Sequence, residues 1–304
     1  MPMTSDRVSN ICCRKIEHAD VPAVVELLTR WPGRTKEYWF RALTQLSTRP
    51  ALGKYPRYGY MLDHHGAPVG VILLIFSRQR MQADAPVRCN ISSWYVDPQY
   101  RGYASLLIAA AVRHKEVTYV NMSPGVHTWP IIEAQGFKRY CDGQFLALPA
   151  LSARVPHVAV SGFDPSDDYR DVLSADERDL LAFHAERGCL ALLAVERGAV
   201  EPFIFQPRRL LRRHLPALQL VYCPGLPALH LVYCRGVDGF IRLAGSLGRT
   251  LLNRGWPLVV VDASAPLPGL YGKYFANWGP KYFKGPHPPK TGDLAYCEWV
   301  LFGP

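Results

Sequence analysis

Apolar and polar positions along the chain fall into short blocks that switch between strand and helix periods. Ile11–Ile16 reads as a short strand, and Asp20 through Arg30, with Pro22 in its first turn, as a helix. Thr35–Leu46 sets Trp39, Leu43 and Leu46 at helical spacing. Tyr58–Leu62 and Pro68–Phe76 flank Asp63-His64-His65-Gly66, a hairpin signal. Val87–Tyr95 is strand-like, Ser105–Lys115 helical, Val117–Asn121 a strand and Thr128–Gln135 a helix. Phe137–Leu148 is one long strand or two short ones, so the order is β-α-α-β-β-β-α-β-α-β.

Pro149–Asp168 is poorly periodic, carries Pro149, Pro156, Gly162 and Pro165, and reads as a boundary. It divides the chain into domains 1–152 and 153–304. The second half repeats the order in weaker form. Ser174–Arg187 is helical, with Ser174 as N-cap and Asp176 and Glu177 in the first turn, where the helix dipole favours acids. Cys189–Glu196, Pro202–Gln206 and Leu229–Cys234 are strand-like, Gly239–Arg254 is helical, Leu258–Asp262 is a strand, and Leu294–Phe302 closes the chain. Pro216–Cys223 recurs as Pro227–Cys234, a local duplication that gives two strand-like copies.

The junction with the most chemistry is Trp94-Tyr95-Val96-Asp97-Pro98-Gln99-Tyr100-Arg101-Gly102-Tyr103-Ala104-Ser105-Leu106-Leu107. A strand breaks at a proline, crosses a small-residue loop and enters an apolar helix. First-turn N–H groups lack intrahelical partners and the dipole end is positive, so such a junction suits a phosphate.

The stretch resembles the acyl-CoA-binding segment of the N-acetyltransferase (GNAT) superfamily, whose loop reads Gln or Arg, two residues, Gly, one residue, Gly or Ala. Two registers fit. Anchoring on Val96-x-Pro98-x-Tyr100 puts Arg101 first, with Ala104 and Leu106 at the small-residue positions. Anchoring on Gln99 gives Gln99-x-x-Gly102-x-Ala104 without a mismatch. In either case the resemblance makes Val96, Gln99, Arg101, Gly102, Tyr103, Ala104 and Ser105 the cofactor-binding segment. The element order of the first 150 or so residues matches the same family, and so does Gly136-Phe137, where the family closes a short helix beside the pantetheine arm.

The resemblance implies an α/β fold of two tandem N-acetyltransferase-like units, each a mixed central sheet flanked by helices. It further implies an acyltransferase that moves an acyl group from acyl-CoA, a co-substrate rather than a permanently bound cofactor, to an amine or hydroxyl by direct attack. The acceptor would be a small molecule, a glycan or a peptide. The family often places a proton-donating Tyr four residues before the Gly, and here that position is Ile132. Ser123 and His127, in the loop after the Val117–Asn121 strand, are the candidate catalytic residues. The second unit lacks the loop, since Arg235-Gly236-Val237-Asp238-Gly239-Phe240 has no matching spacing and Asp238 would repel a pyrophosphate. It is expected to be a degenerate scaffold that contributes to the acceptor cleft. The rival function is a non-catalytic acyl-CoA-binding or interaction module.

Composition narrows these readings. The 304 residues are 49% hydrophobic and 20% charged, with a formal net charge of +10, which favours anionic partners. Arg208-Arg209-Leu210-Leu211-Arg212-Arg213-His214 is the densest basic cluster, but no nucleic-acid module signature accompanies it, so nucleic acid is not the expected partner. Tyr271–Pro286 interleaves aromatic residues with Lys, a pattern suited to packing a core or meeting a ring. None of the 8 Cys forms a Cys-x-x-Cys pair and no His spacing suits a metal, so no metal site is expected. Met1–Asn10 lacks the apolar core of a signal peptide, and no apolar run nears the roughly 18 residues of a membrane span, which points to a reduced, cytoplasmic protein.

Overall fold

The computed structural model describes residues 11–78, 85–210 and 226–303, with side chains up to Arg208 in the second stretch. The Met1–Asn10 segment, the Pro216–Cys223 copy of the duplication and Leu211–His214 of the basic cluster lie outside the described residues.

The chain divides into two compact units at Asn121/Met122. Among the described residues, the first comprises those of 11–121, Lys284–His287 and Leu301–Gly303, and the second those of 122–283 and Pro288–Val300. Residues 122–152 of the first sequence repeat therefore group with the second unit.

The first unit runs β1 (Ile11–Lys15), α1 (Val21–Thr29), α2 (Lys36–Thr48), β2 (Gly59–His64), β3 (Ala67–Arg78), β4 (Val87–Val96), α3 (Ala104–Ala111) and β5 (Thr118–Asn121). Its strands lie in the order β1-β2-β3-β4-β5, antiparallel except for the parallel β4–β5 pair. Local chemistry explains the joints. The Thr35 side chain accepts from the Tyr38 amide and caps α2. His65 (φ 53°) and Gly66 (φ 83°) turn β2 into β3 as a two-residue loop with both central residues left-handed, and the Gly66 amide donates to Asp63 Oδ1 at 2.7 Å. Helices α1 and α3 pack on the sheet through Val24, Val25, Leu28, Leu107 and Ile108, all nearly sealed from solvent.

The second unit runs α4 (Trp129–Ala134), β6 (Lys138–Ala147), β7 (Val158–Gly162), α5 (Ala175–Ala185), β8 (Leu190–Glu196), β9 (Ala199–Leu210), β10 (Leu226–Cys234), α6 (Val237–Asn253), β11 (Leu258–Ala263) and β12 (Gly272–Lys284), followed by α7 (Glu298–Phe302). The strand order is β12-β6-β11-β10-β9-β8-β7, antiparallel apart from β10–β11. Ser174 and Glu177 form a reciprocal capping box on α5. Helix α6 covers one face, placing Phe240, Leu243, Leu247 and Leu251 on Phe203, Phe205, Leu229, Leu231, Val259 and Val261. Together the units are a mixed α/β architecture with sheets flanked by helices, as expected.

Two segments depart from the sequence reading. The supposed boundary 149–168 contains strand β7, and residues 149–153 are held against α6 by two glycines. A Cβ on Gly245 would lie 2.3 Å from Ala153 O, and one on Gly248 would lie 2.2 Å from Ala150 N. The aromatic-Lys run is largely the 13-residue strand β12. Its alternation is obscured by a register shift between Ala276 and Lys281, where Asn277 (φ 58°) and Gly279 (φ 61°) bulge out. Leu294–Phe302, which the residue pattern left without a type, ends in α7, where Glu298-Trp299-Val300-Leu301-Phe302 closes a short helical turn.

Candidate functional site

The first unit carries a fork in its sheet. Strand β4 pairs with β3 up to Ser92, opposite Leu73, but the next register pair is Tyr95 with Val71. The extra residue is absorbed at Ser93, which has φ 49°, so a β-bulge withdraws backbone groups from the ladder. On its other side β4 pairs with β5 only from Arg88–Thr118 to Asn90–Val120. Beyond Asn90 the two parallel strands part. The Asn90 side chain sits at the fork, donating to Ile91 O at 2.9 Å and Val120 O at 3.5 Å. A bulged strand beside a fork presents unpaired backbone N–H and C=O groups to an extended ligand.

Past the bulge, the Gln99 loop is a 3-10 helix over Pro98–Tyr103 that leads directly into α3. The Tyr100 amide donates to Asp97 O at 2.9 Å and the Ala104 amide to Arg101 O, so these two donors are used within the turn. Val96 is buried, Tyr103 and Ala104 are half-buried, and Gln99, Arg101, Gly102 and Ser105 are exposed. Ala104 has φ −57° and ψ −30°, ordinary helical values that cost alanine no strain. A Cβ on Gly102 would meet nothing within 4 Å, so this face of the turn is open. No carboxylate lies within 4.0 Å of Arg101 among the described residues, which leaves its guanidinium available to an anion.

Ser123 and His127 lie in the second unit. Helix α4 ends as the sequence suggested: Gly136 has φ 83°, and the Phe137 amide donates to Ile132 O at 3.1 Å. Ile132 is 2% exposed, an apolar plug where the resembled family often has its tyrosine. Ser123 is exposed and its hydroxyl donates to Glu298 Oε1. His127 is exposed, has no hydrogen bond among the described residues, and lies over its own turn, where a Cβ on Gly125 would approach His127 Cε1 to 2.8 Å. The two candidates therefore do not form a pair. Ser123 is partnered instead by Glu298, which comes from a segment that no sequence motif singled out.

The second unit also buries an ionic network that pattern reading missed. Asp262 on β11 accepts at Oδ1 from Lys281 Nζ (2.7 Å), Gln144 Nε2 (3.0 Å) and His230 Nε2 (3.1 Å). Arg208 donates to His230 Nδ1 at 2.7 Å, which fixes the imidazole with its proton on Nε2. Burial would raise the Asp262 carboxyl, but Lys281 and His230 outweigh it and hold the group well below the usual carboxylate range. Burial pulls His230 down to about 4, so its ring is neutral at pH 7. Arg208, Lys281 and His230 lie around the Trp299 ring at 4.8, 5.3 and 5.2 Å, and Gln206 Nε2 donates to the Trp299 carbonyl. This network anchors Trp299, the neighbour of Glu298. Asp262 and His230 sit singly within apolar strand runs, and nothing in those runs marks them as partners of Arg208 or Lys281.

No cluster of His, Cys, Asp or Glu suited to a metal ion occurs among the described residues, and no helix there is long and apolar enough to cross a membrane.

No protein-family model matches the chain, and a comparison with curated proteins finds no match. Solved structures do resemble it. A GCN5-related N-acetyltransferase from Kribbella flavida superposes with a TM-score of 0.58 at 14% identity, covering 90% of this chain and 71% of that one. A GCN5-related N-acetyltransferase from Anabaena variabilis gives 0.57 at 9% identity, over 90% of this chain and 72% of that one. A probable N-acyltransferase of unknown function from Enterococcus faecalis gives 0.53 at 12% identity, over 90% and 72%. The fold of this chain is that of the GCN5-related N-acetyltransferases.

Proposed function

We propose that this protein is a member of the N-acetyltransferase superfamily that transfers an acyl group from acyl-CoA to an amine or hydroxyl by direct attack. The observation that carries this reading is the bulge at Ser93 beside the β4–β5 fork, followed within ten residues by the open turn at Gly102. In this reading the pantetheine arm lies along the fork and the pyrophosphate meets the segment Val96, Gln99, Arg101, Gly102, Tyr103, Ala104 and Ser105. Backbone N–H groups freed by the bulge polarise the thioester carbonyl, a preorganised site for the developing oxyanion. The acceptor's lone pair attacks the carbonyl carbon, the C–S bond breaks, and the proton lost by the acceptor ends on the coenzyme A thiolate.

Residues 1–152 would supply the acyl-CoA-binding repeat, and 153–304 a degenerate repeat. Ser123 and His127 remain the proposed proton-handling residues. Ser123 is the better placed of the two, because its hydroxyl is oriented by a carboxylate. Ile132 favours a second reading, a non-catalytic acyl-CoA-binding module, because a buried aliphatic side chain cannot protonate a thiolate.

Titrating the protein with coenzyme A by calorimetry tests binding. Following thiol release from acetyl-CoA and longer acyl-CoAs with amine and hydroxyl acceptors tests transfer. Binding with no thiol release for any acceptor would favour the second reading, and no binding would remove both.

A further inference from the structure

Beside the β4 bulge the first unit builds an aromatic wall that acyl transfer by itself does not require. Trp31, in the turn after α1, has Trp39 of α2 and Tyr95 of β4 as ring neighbours, with centroids 6.3 and 6.1 Å away and both planes within 18° of its own. Trp39 is 3% exposed, yet its indole N–H has no acceptor among the described residues, although a buried indole N–H ordinarily finds one. Trp31 keeps 38% exposure, so part of its ring is open to a ligand. Tyr95 is fixed from behind, since its hydroxyl donates to Asp97 Oδ1 at 3.0 Å.

The charge around this wall is one-sided. Arg30 is paired with Asp97 at 2.5 Å. Arg34 and Arg41 have no carboxylate within 4.0 Å among the described residues, and their guanidiniums lie 4.4 and 5.9 Å from the Tyr38 ring centre. Tyr38 in turn packs edge-on against Trp39 at 5.0 Å. Three guanidiniums against the carboxylates of Asp97 and the exposed Glu37 leave a net positive charge, which disfavours a ligand whose only charge is an ammonium and favours one that brings a carboxylate. Tyr95, a ring neighbour of Trp31, lies two residues along the chain from the bulged Ser93, so an amine on a short arm from the ligand ring is directed toward the bulge.

We infer, on the acyl-transfer reading above, that the acceptor is an aromatic amine that also carries a carboxylate, as an aromatic amino acid does. Its ring packs against the open part of Trp31, its carboxylate pairs with Arg34, and its amine faces the bulge. The lone pair of the neutral amine attacks the thioester carbon, the C–N bond forms as the C–S bond breaks, and the proton that the nitrogen then sheds passes to the thiolate, leaving an amide and coenzyme A.

The test is calorimetric titration of the full-length protein with phenylalanine, phenethylamine and aspartate, with coenzyme A titrated separately. Phenylalanine is expected to bind at least tenfold more tightly than phenethylamine, and aspartate not to bind. Trp31→Ala should weaken phenylalanine tenfold or more with coenzyme A affinity and melting temperature unchanged, and Arg34→Gln should narrow the gap between phenylalanine and phenethylamine. Phenethylamine binding as tightly as phenylalanine, Trp31→Ala having no effect, or no ring ligand binding at all would overturn the inference. Phenylalanine binding without coenzyme A binding would remove the acyl-transfer reading and leave an aromatic-acid site, whereas the converse would remove only the acceptor assignment.

Discussion

Lys281 and Asp262 meet at 2.7 Å with side chains 0% and 1% exposed, an ion pair sealed inside the second unit and braced by His230 and Gln144. Removing one partner leaves the other as an unpaired buried charge, which costs far more than the pair contributes. Lys281→Met should therefore destabilise the protein by about 3–5 kcal/mol in chemical denaturation. The double variant Lys281→Met/Asp262→Leu should recover much of that loss. Equal stabilities for the single variant and the wild type would show that the pair is not buried in solution.

Stability should fall on mild acidification. Burial holds both His230 and His184 at about 4, against an ordinary value of 6.5. Between these values the unfolded chain takes up protons that the folded chain excludes. Stability is therefore full above about pH 6.5 and declines as pH drops toward 4, by up to about 1.4 kcal/mol per pH unit for each ring. Urea-unfolding midpoints measured from pH 7 to pH 4.5 check this. His184→Asn should flatten the slope, since His184 donates from Nδ1 to Leu180 O at 2.7 Å and accepts the Tyr296 amide as a neutral ring.

Gly102 and Gly239 make a matched pair of probes. A Cβ at either position meets nothing within 4 Å, so substitution is tolerated sterically at both. Gly102→Asp adds a negative charge to the turn proposed to hold the pyrophosphate and should weaken coenzyme A binding tenfold or more. Gly239→Asp should leave it intact. Equal losses in calorimetric titration would sink the assignment of the turn.

Ala104 separates the two loop registers. Its φ of −57° is helical, so Ala104→Gly relieves no strain. It should instead loosen the start of α3, costing about 0.5–1 kcal/mol of stability, with coenzyme A binding unchanged or weaker. A clear gain in affinity would show that the backbone at 104 turns left-handed when the ligand is bound.

Cutting the chain between 152 and 153 should yield two insoluble fragments. Strand β6 pairs with β11 on one side and β12 on the other, and residues 149–153 pack under α6. A 153–304 fragment loses that strand and exposes two sheet edges, which are templates for aggregation. Two soluble fragments with cooperative melting curves would contradict this.

Much of the local structure in both units could be read from the residues because its signals are local. The His65-Gly66 turn, the Thr35 cap, the Ser174–Glu177 box and the Gly136 helix stop each depend on side chains within four positions of one another. The Gln99–Ala104 spacing likewise marked a strand-to-helix turn, and that turn is present. Strand β12 was not legible, because the bulge at Asn277–Gly279 breaks the two-residue alternation by which a half-buried strand is known. The closing helix α7 was missed for a related reason: an apolar run of this length fits a buried strand or a short helix equally well.

By itself, the sequence determined where the chain turns, which helices are capped and that one strand breaks at Pro98 and turns into a helix, since each of these is settled by φ preferences and hydrogen bonds a few residues apart. Only the tertiary structure decided that Asp262 would gather Lys281, His230 and Gln144, which lie 19, 32 and 118 residues away. The same is true of Glu298 meeting Ser123 across 175 residues, and of the packing of Trp31 beside Trp39 and Tyr95. Pairings at these separations leave no periodic trace, because they are set by strand order and register, and each charged residue enters the interior only where the completed sheet supplies its counter-charge.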